Sequence, residues 1–317
     1  MPDLRTSWLA WRELGAVPTT NAAVGGCPRE SIDHRFAIDG DDVRLSVVIP
    51  AHNEAVVIGA CLRSLAAQDF ASAFEVIVVD NGSTDETPVI AASLGARVIR
   101  EQRLGVCWAR QSGTLAARGQ IVVSTDADTT FDAGWLSNIN AKFGADPALV
   151  AVAGRCRFVE APWWGTAYTW LLFSAVAVVS RVTGRVWYVT ATNVAFRRSA
   201  WTGYNTHLTQ GGDELDLLRR LRACGKVGFD RGNVTFTSSR RLRQGLLYNI
   251  VVTCLYYYLV GYVLNRVFGR TVLGTAPHFR GDANARTRTQ CIARLARTAV
   301  WIILLAVGGL TTYLVAP

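Results

Sequence analysis

Two aspartates one residue apart, Asp126 and Asp128, form the pair in this sequence best suited to chemistry. They close the run QIVVSTDAD at 120–128. In an extended segment alternate residues face the same way, so both carboxylates should project to one side. Two carboxylates so placed repel unless a cation lies between them. A hard divalent ion with oxygen ligands, Mg²⁺ or Mn²⁺, removes the repulsion and can also take a diphosphate. The plainer alternative is an acidic turn after a strand; the buried strand in front of the pair favours the metal. A second acidic pair, Asp213-Glu214, follows Gly211-Gly212 and opens a helical run with leucines at 215, 218 and 221, closed by Gly225. Acids in a first turn can simply complement the helix dipole. Glu54 and Asp80 follow apolar runs, and taken alone helix capping explains them equally well. Arg240, Arg241 and Arg243 precede a long uncharged stretch. They suit either a cytoplasmic anchor or the clasp of a phosphate.

These residues need elements to position them. LSVVIP at 45–50 reads as a buried strand, and 54–68 has helical apolar spacing. FEVIVVD at 74–80 reads as a second strand, almost wholly apolar, as central parallel strands are. Asn81-Gly82 signals a turn, and Ser83 with Glu86 forms a capping box for a helix that runs to Leu94 and stops at Gly95. A third strand at 96–100, a third helix at 105–118 and a fourth strand at 120–128 follow. Strict alternation predicts an α/β fold with a mostly parallel sheet and helices on both faces. Ligands in such sheets bind beyond the carboxyl ends of the strands, where the acids at 80 and 126–128 fall.

The chain has 317 residues, half of them hydrophobic, and a formal charge of +9. From Arg219 onward fifteen Lys and Arg face only Asp230 and Asp282, so that stretch alone carries +13. Its cations flank apolar runs, which points to lipid headgroups or phosphates and away from nucleic acid. The uncharged segments 246–264 and 299–316 have about the length that spans a bilayer. The loop between them is rich in arginine and should stay cytoplasmic. We therefore expect 299–316 to span, with 246–264 interfacial or re-entrant and a two-span hairpin as the alternative. Trp163–Ser180 is also uncharged, but a single crossing there would separate the acidic motifs across the membrane, so an interfacial or groove-lining helix is expected. The seven scattered cysteines show no CxxC pair and no zinc-ligand spacing, and read as reduced thiols. Residues 1–30 lack the uninterrupted apolar core of a secretory signal.

The motifs PAHNE (50–54), VVDNGSTD (78–85), STDADT (124–129), GGDELDLLRRL (211–221) and SSRR (238–241) occur in this order. Together they resemble inverting family-2 glycosyltransferases of the membrane-attached bacterial type, with a GT-A fold, over roughly residues 45–243. The polar, irregular residues 1–43 read as an N-terminal extension, the resemblance implies a catalytic domain at 44–243, and the apolar segments make 244–317 a membrane-associated region. It implies that Pro50, His52, Glu54 and Asp80 line the base and ribose pocket, with Arg110 near the nucleotide. It assigns the metal, Mg²⁺ or Mn²⁺, and the donor diphosphate to Asp126 and Asp128, and a phosphate contact to Arg240 and Arg241. In that family a Glu-Asp pair supplies the base that takes the acceptor proton. Here the order is inverted: Glu214 matches by its spacing to Asp216, and Asp213 stays open as the alternative. Asn193 and Arg197-Arg198 match a stretch beneath the acceptor site. SSRRLRQG lacks the following tryptophan of processive members, which argues against a polymer synthase.

The expected reaction is transfer of a sugar from a UDP- or GDP-sugar to a lipid-linked or glycan acceptor, with inversion, at the cytoplasmic side of the cytoplasmic membrane. A nucleotidyltransferase would share the sheet and the metal acids but should carry a Gly-rich basic loop after the first strand, which AHNEAVV is not. A non-catalytic membrane scaffold would have no reason to keep both acidic motifs.

Overall fold

The computed structural model of the chain describes residues 42–208 and 213–249, together with Phe36, Val251, Val252, Tyr256, Val260 and Leu264. The extension expected at 1–43 falls almost wholly outside the described residues, the segment 246–264 about half, and the segment 299–316, Gly211-Gly212 and the basic loop 265–297 wholly.

The alternation expected from the sequence is present. The elements β1 (Leu45–Ala51), α1 (Ala55–Ala66), β2 (Phe74–Asp80), α2 (Thr87–Ser93), β3 (Arg97–Arg100), α3 (Val106–Ala116) and β4 (Ile121–Ser124) follow in turn. Strands β3, β2, β1 and β4 are neighbours in that order and all parallel. The chain moves outward from β1 to β3, then returns to the far side of β1 as β4. That reversal opens a crevice at the carboxyl ends of β1 and β4, where open α/β sheets take their ligands.

The second half is mixed. β5 (Thr129–Phe131), α4 (Trp135–Ala145), β6 (Leu149–Val159), α5 (Trp163–Thr183), β7 (Val194–Arg197), α6 (Asp213–Cys224) and β8 (Lys226–Ser238) complete an eight-stranded sheet. β7 runs antiparallel to β4 and β6, β8 is parallel to β6, and β5 is antiparallel to β8.

Period-two patterning decides the layers. Leu45, Val47, Ile49 and Ala51 of β1 pack with α1, α2 and α4 around Leu62, Trp135, Leu136 and Phe143. Val48 points the other way, into a core shared with α3, α5 and α6 around Phe196, Leu217 and Leu218. Each such fully buried side chain contributes about 1.5–3 kcal/mol. Helix α3 lies directly on the sheet because of Gly113: a Cβ there would stand 2.4 Å from Val48 Cγ1 and 2.8 Å from Val79 Cγ2. Helix α5 buries one stripe (Gly165, Thr169, Phe173, Val176 and Ala177) and packs on β6 and β8.

Two local expectations are corrected. Asp126 and Asp128 are not in an extended segment, because β4 ends at Ser124 and the pair sits in the turn leading to β5. The backbone there turns to meet β8, where Ser238 N–H bonds the Asp128 carbonyl at 3.3 Å. The capping box at Ser83 and Glu86 does not form. Asp85 instead accepts the Thr87 N–H at 3.0 Å, and Ser83 Oγ is taken by the Asn53 N–H at 3.0 Å. A tertiary bond between loops displaces the local one. The Gly82 turn is as expected, with φ of +76°, a conformation glycine adopts without Cβ strain.

Candidate active site

The loops that leave β1 and β2 are locked together. His52 Nδ1 donates to the Asn81 carbonyl at 2.8 Å. Asn53 takes φ of +54°, which asparagine tolerates better than most residues, and its Oδ1 accepts the Thr84 N–H at 2.8 Å. Glu54 N–H bonds Thr87 Oγ1 at 2.8 Å. At the end of β2, Asp80 is 1% exposed. Its Oδ1 accepts the Ser83 N–H at 2.9 Å, while Oδ2, 3.6 Å from Arg100 Nε, has no hydrogen-bond partner among the described residues. Buried acceptors are normally satisfied, so an open one at the mouth of this crevice suits a ligand N–H or O–H. Pro50 sits half-buried beside it, its register partner Val79 one residue before Asp80.

The acids on the β4 side are held by two arginines. Arg110, on α3 one turn before Gly113, is buried; its Nη2 donates to Asp126 Oδ1 at 2.8 Å and its Nη1 closely contacts Asp213 Oδ2. Arg240, just after β8, donates from Nη2 to Asp128 Oδ2 at 2.7 Å and from Nη1 to Glu54 Oε2 at 2.9 Å. Thr237 Oγ1 adds a 3.3 Å bond to Asp128 Oδ1. Residues 54, 110, 126, 128, 213 and 240, scattered along the chain, thus meet at the carboxyl edge of the sheet.

The electrostatics follow from this crowding. Burial disfavours the Arg110 cation, but Asp213 and Asp126 outweigh it and its pKa is raised. Arg240 is raised in the same way by Asp128 and Glu54. Asp126 lies above the ordinary carboxylate range, first through burial and then through Asp128 and Asp213, with Arg110 opposing. Glu214 is pushed well above its ordinary value, chiefly by burial and then by the charge of Asp213 and their shared hydrogen bond. Asp213 is tied to Arg110; Glu214 is the carboxyl of the pair whose proton affinity burial raises.

The donor set fits a hard divalent cation. Mg²⁺ and similar ions are commonly held by one or two carboxylates plus substrate phosphates and waters, and Asp126 with Asp128 supply two. No group of three or more His, Cys, Asp or Glu side chains is assembled among the described residues, so the other positions would fall to phosphate oxygens and water. The guanidiniums of Arg110 and Arg240 stand as counter-charges to these same carboxylates.

Other expected residues have different work. Asn193 is a framework residue: Nδ2 donates to the carbonyls of Arg155 and Asn233, both at 2.9 Å, and Oδ1 accepts from Trp135 Nε1 at 3.1 Å. Arg197 Nε bonds the Leu149 carbonyl at 2.8 Å and the guanidinium lies 5.2 Å from the Phe143 ring centre. Arg241 offers its carbonyl to Asn249 Nδ2 at 3.1 Å, and Arg243 pairs with Glu160 at 3.6 Å. Cys61, Cys107 and Cys156 are buried free thiols and Cys224 is exposed. Burial and then Asp128 and Asp126 push the Cys61 thiol upward. Sequence reasoning did not find the Arg240 bridge, the Thr237 bond or the Asn53 and Asn81 latch. Each depends on partners dozens of residues away, which no local pattern signals.

The description "Glycosyl transferase family 2" belongs to the family whose sequence pattern matches residues 46–202. An uncharacterized glycosyltransferase of Mycobacterium tuberculosis is 36% identical over 193 residues, 59% of this chain and 81% of the relative. Among solved structures, the mannosyltransferase PcManGT from Pyrobaculum calidifontis, in complex with GDP-Man and Mn²⁺, is 22% identical with a TM-score of 0.56, over 98% of this chain and 88% of that one. Glucosyl-3-phosphoglycerate synthase from Mycobacterium tuberculosis, in complex with Mn²⁺, UDP-glucose and phosphoglyceric acid, is 23% identical with a TM-score of 0.51, over 73% and 81%. At these identities the two structures speak for the fold.

Proposed function

The chain belongs to glycosyl transferase family 2, and from that premise we propose that it moves a sugar from a UDP- or GDP-sugar to a lipid-linked acceptor, a polyprenyl phosphate or glycolipid. The transfer proceeds with inversion and with Mg²⁺ or Mn²⁺ at Asp126 and Asp128, on the cytoplasmic face of the cytoplasmic membrane. The observation that carries this reading is the double engagement of Arg110, which joins Asp126 of the DxD turn to Asp213 at the start of α6. Donor-side and acceptor-side acids thereby share one patch. The complexes of the two solved neighbours with GDP-Man and with UDP-glucose support a nucleoside diphosphate donor.

His52, Pro50 and Asp80 receive the base and ribose, with the open Asp80 Oδ2 as an acceptor. When bound, the divalent ion would neutralise diphosphate charge that grows as the donor bond breaks. Arg240 then exchanges its carboxylate partners for a phosphate oxygen, and Arg110 holds Asp213 in place. The acceptor oxygen attacks the anomeric carbon from the face opposite the leaving diphosphate. A hydroxyl acceptor delivers its proton to Glu214. A phosphate acceptor is already ionised and needs positioning only, which Asp213 and Glu214 supply.

A screen of nucleotide sugars with membrane lipid extract, read as released nucleoside diphosphate, tests the proposal. Release should require one donor and be absent from the Asp126→Ala, Asp128→Ala double variant. Release no greater than that variant's across all common nucleotide sugars would overturn it.

A further inference from the structure

Helix α5 carries an apolar face that stays exposed among the described residues. Trp163, Trp170, Leu171, Val178 and Val182 recur at spacings that place them on one side of the helix. All five are exposed, from 57% at Val178 to 82% at Trp163. Contiguous exposed apolar surface of this kind marks an interaction site. Its 21 residues make a face about 30 Å long.

Beside the C-terminal end of that face lies a cavity of about 230 Å³ between Ala177, Ser180 and Arg181 of α5 and the 229–232 stretch of β8. Its cations are Arg181 and Arg231, and Arg155 of β6 lies near enough to Arg231 to feel its charge. Arg155 Nε is buried and makes no hydrogen bond among the described residues. Burial, then Arg157 and Arg231, lower the Arg155 pKa. Asp230 also lines the cavity, where it accepts the Gly232 N–H at 2.8 Å and pairs with Lys142 at 3.4 Å; the two lining arginines still outnumber it. Two guanidiniums lining a small cavity, at the edge of an aromatic and aliphatic helix face, match an anionic headgroup lying above acyl chains.

We propose that α5 docks in the plane of an anionic bilayer, with Trp163, Trp170, Leu171, Val178 and Val182 at the acyl boundary and a lipid phosphate held between Arg181 and Arg231. This rests on the membrane placement proposed above and assigns the element and the lipid chemistry.

The test uses the full chain in nanodiscs of phosphatidylcholine, with or without phosphatidylglycerol. Val178→Cys and, as a distant control on α2, Val89→Cys are labelled with a water-soluble maleimide and quantified at each residue by mass spectrometry. Position 178 should be strongly protected relative to 89 in the anionic discs and much less in the zwitterionic ones. In an Arg181→Gln, Arg231→Gln background, removal of two surface cations should weaken that protection by about thirtyfold. Equal labelling of 178 and 89 in anionic discs would show the face open and overturn the proposal. Protection that ignores both lipid charge and the two arginines would also overturn it, since the face would then be covered by the chain itself, by a second copy, or by a bilayer crossing without phosphate recognition. Nucleoside diphosphate release in the same discs reports sugar transfer separately, so either reading can fail alone.

Discussion

Replacing Arg110 by methionine removes the cation shared by Asp126 and Asp213 while keeping a side chain that fills the space. Asp213 has only 1% of its side chain exposed, whereas Asp126 has 31%. The cost should therefore come almost wholly from Asp213, left as a buried charge without its partner. Such losses run to about 3–5 kcal/mol. For a domain of this size each kcal/mol moves the midpoint by about 2–4 °C, so the variant should melt about 6–20 °C below the parent. The sign with pH is fixed. Without Arg110, Asp126 and Glu214, already raised in the fold, rise further above their unfolded values. The folded state then holds more protons than the unfolded one, and the variant loses stability as pH rises from about 4 toward neutrality. The gap to the parent should accordingly narrow on acidification. Mn²⁺ supplies a replacement cation, so it should raise the variant's melting midpoint more than the parent's. Scanning fluorimetry in detergent at several pH values, with and without Mn²⁺, measures all three effects. A variant that melts with the parent, or a gap that widens on acidification, would refute the pairing.

Asp128→Ala and Asp126→Ala should each abolish transfer while leaving the protein folded, as read by donor turnover beside a melting curve; near-normal turnover in EDTA would falsify the metal assignment. Glu214→Gln should slow transfer to a hydroxyl acceptor by about 10²-fold or more and flatten the rise of kcat/KM with pH that the raised Glu214 pKa dictates. Because that pKa is raised in the fold, the carboxyl's contribution is lost as pH rises through it, and Glu214→Gln should melt higher than the parent at alkaline pH. If Asp213→Asn is the slow variant and Glu214→Gln stays active, the base has been misassigned by one position. Gly113→Val must push into Val48 and Val79 and should cost about 1–3 kcal/mol, with donor affinity falling alongside because α3 carries Arg110; urea midpoints and nucleotide titration would show it.

Much of this was legible from residue order. The runs LSVVIP, FEVIVVD and QIVVS alternate with helical spacing, and that alone predicts a parallel sheet with acids beyond its strand ends. Five motifs in register gave the family and singled out the acids at 126, 128, 213 and 214 as candidates. Hydrophobic periodicity and motif spacing are local properties, so one chain suffices to read them.

What only the tertiary structure decided is how the charges pair. Arg240 read as a membrane anchor or phosphate clasp, yet it bridges Glu54 and Asp128 across 186 and 112 residues of sequence. Ser83 read as a helix cap, yet it closes a latch to Asn53. The DxD pair read as alternating strand residues, yet it turns to meet β8. In each case the local pattern offered a partner of modest strength, and folding brought a second one into a less polar setting where ion pairs and buried hydrogen bonds weigh more. Sequence order cannot rank those partners, because their strength is set by burial, and burial exists only once the sheet has closed.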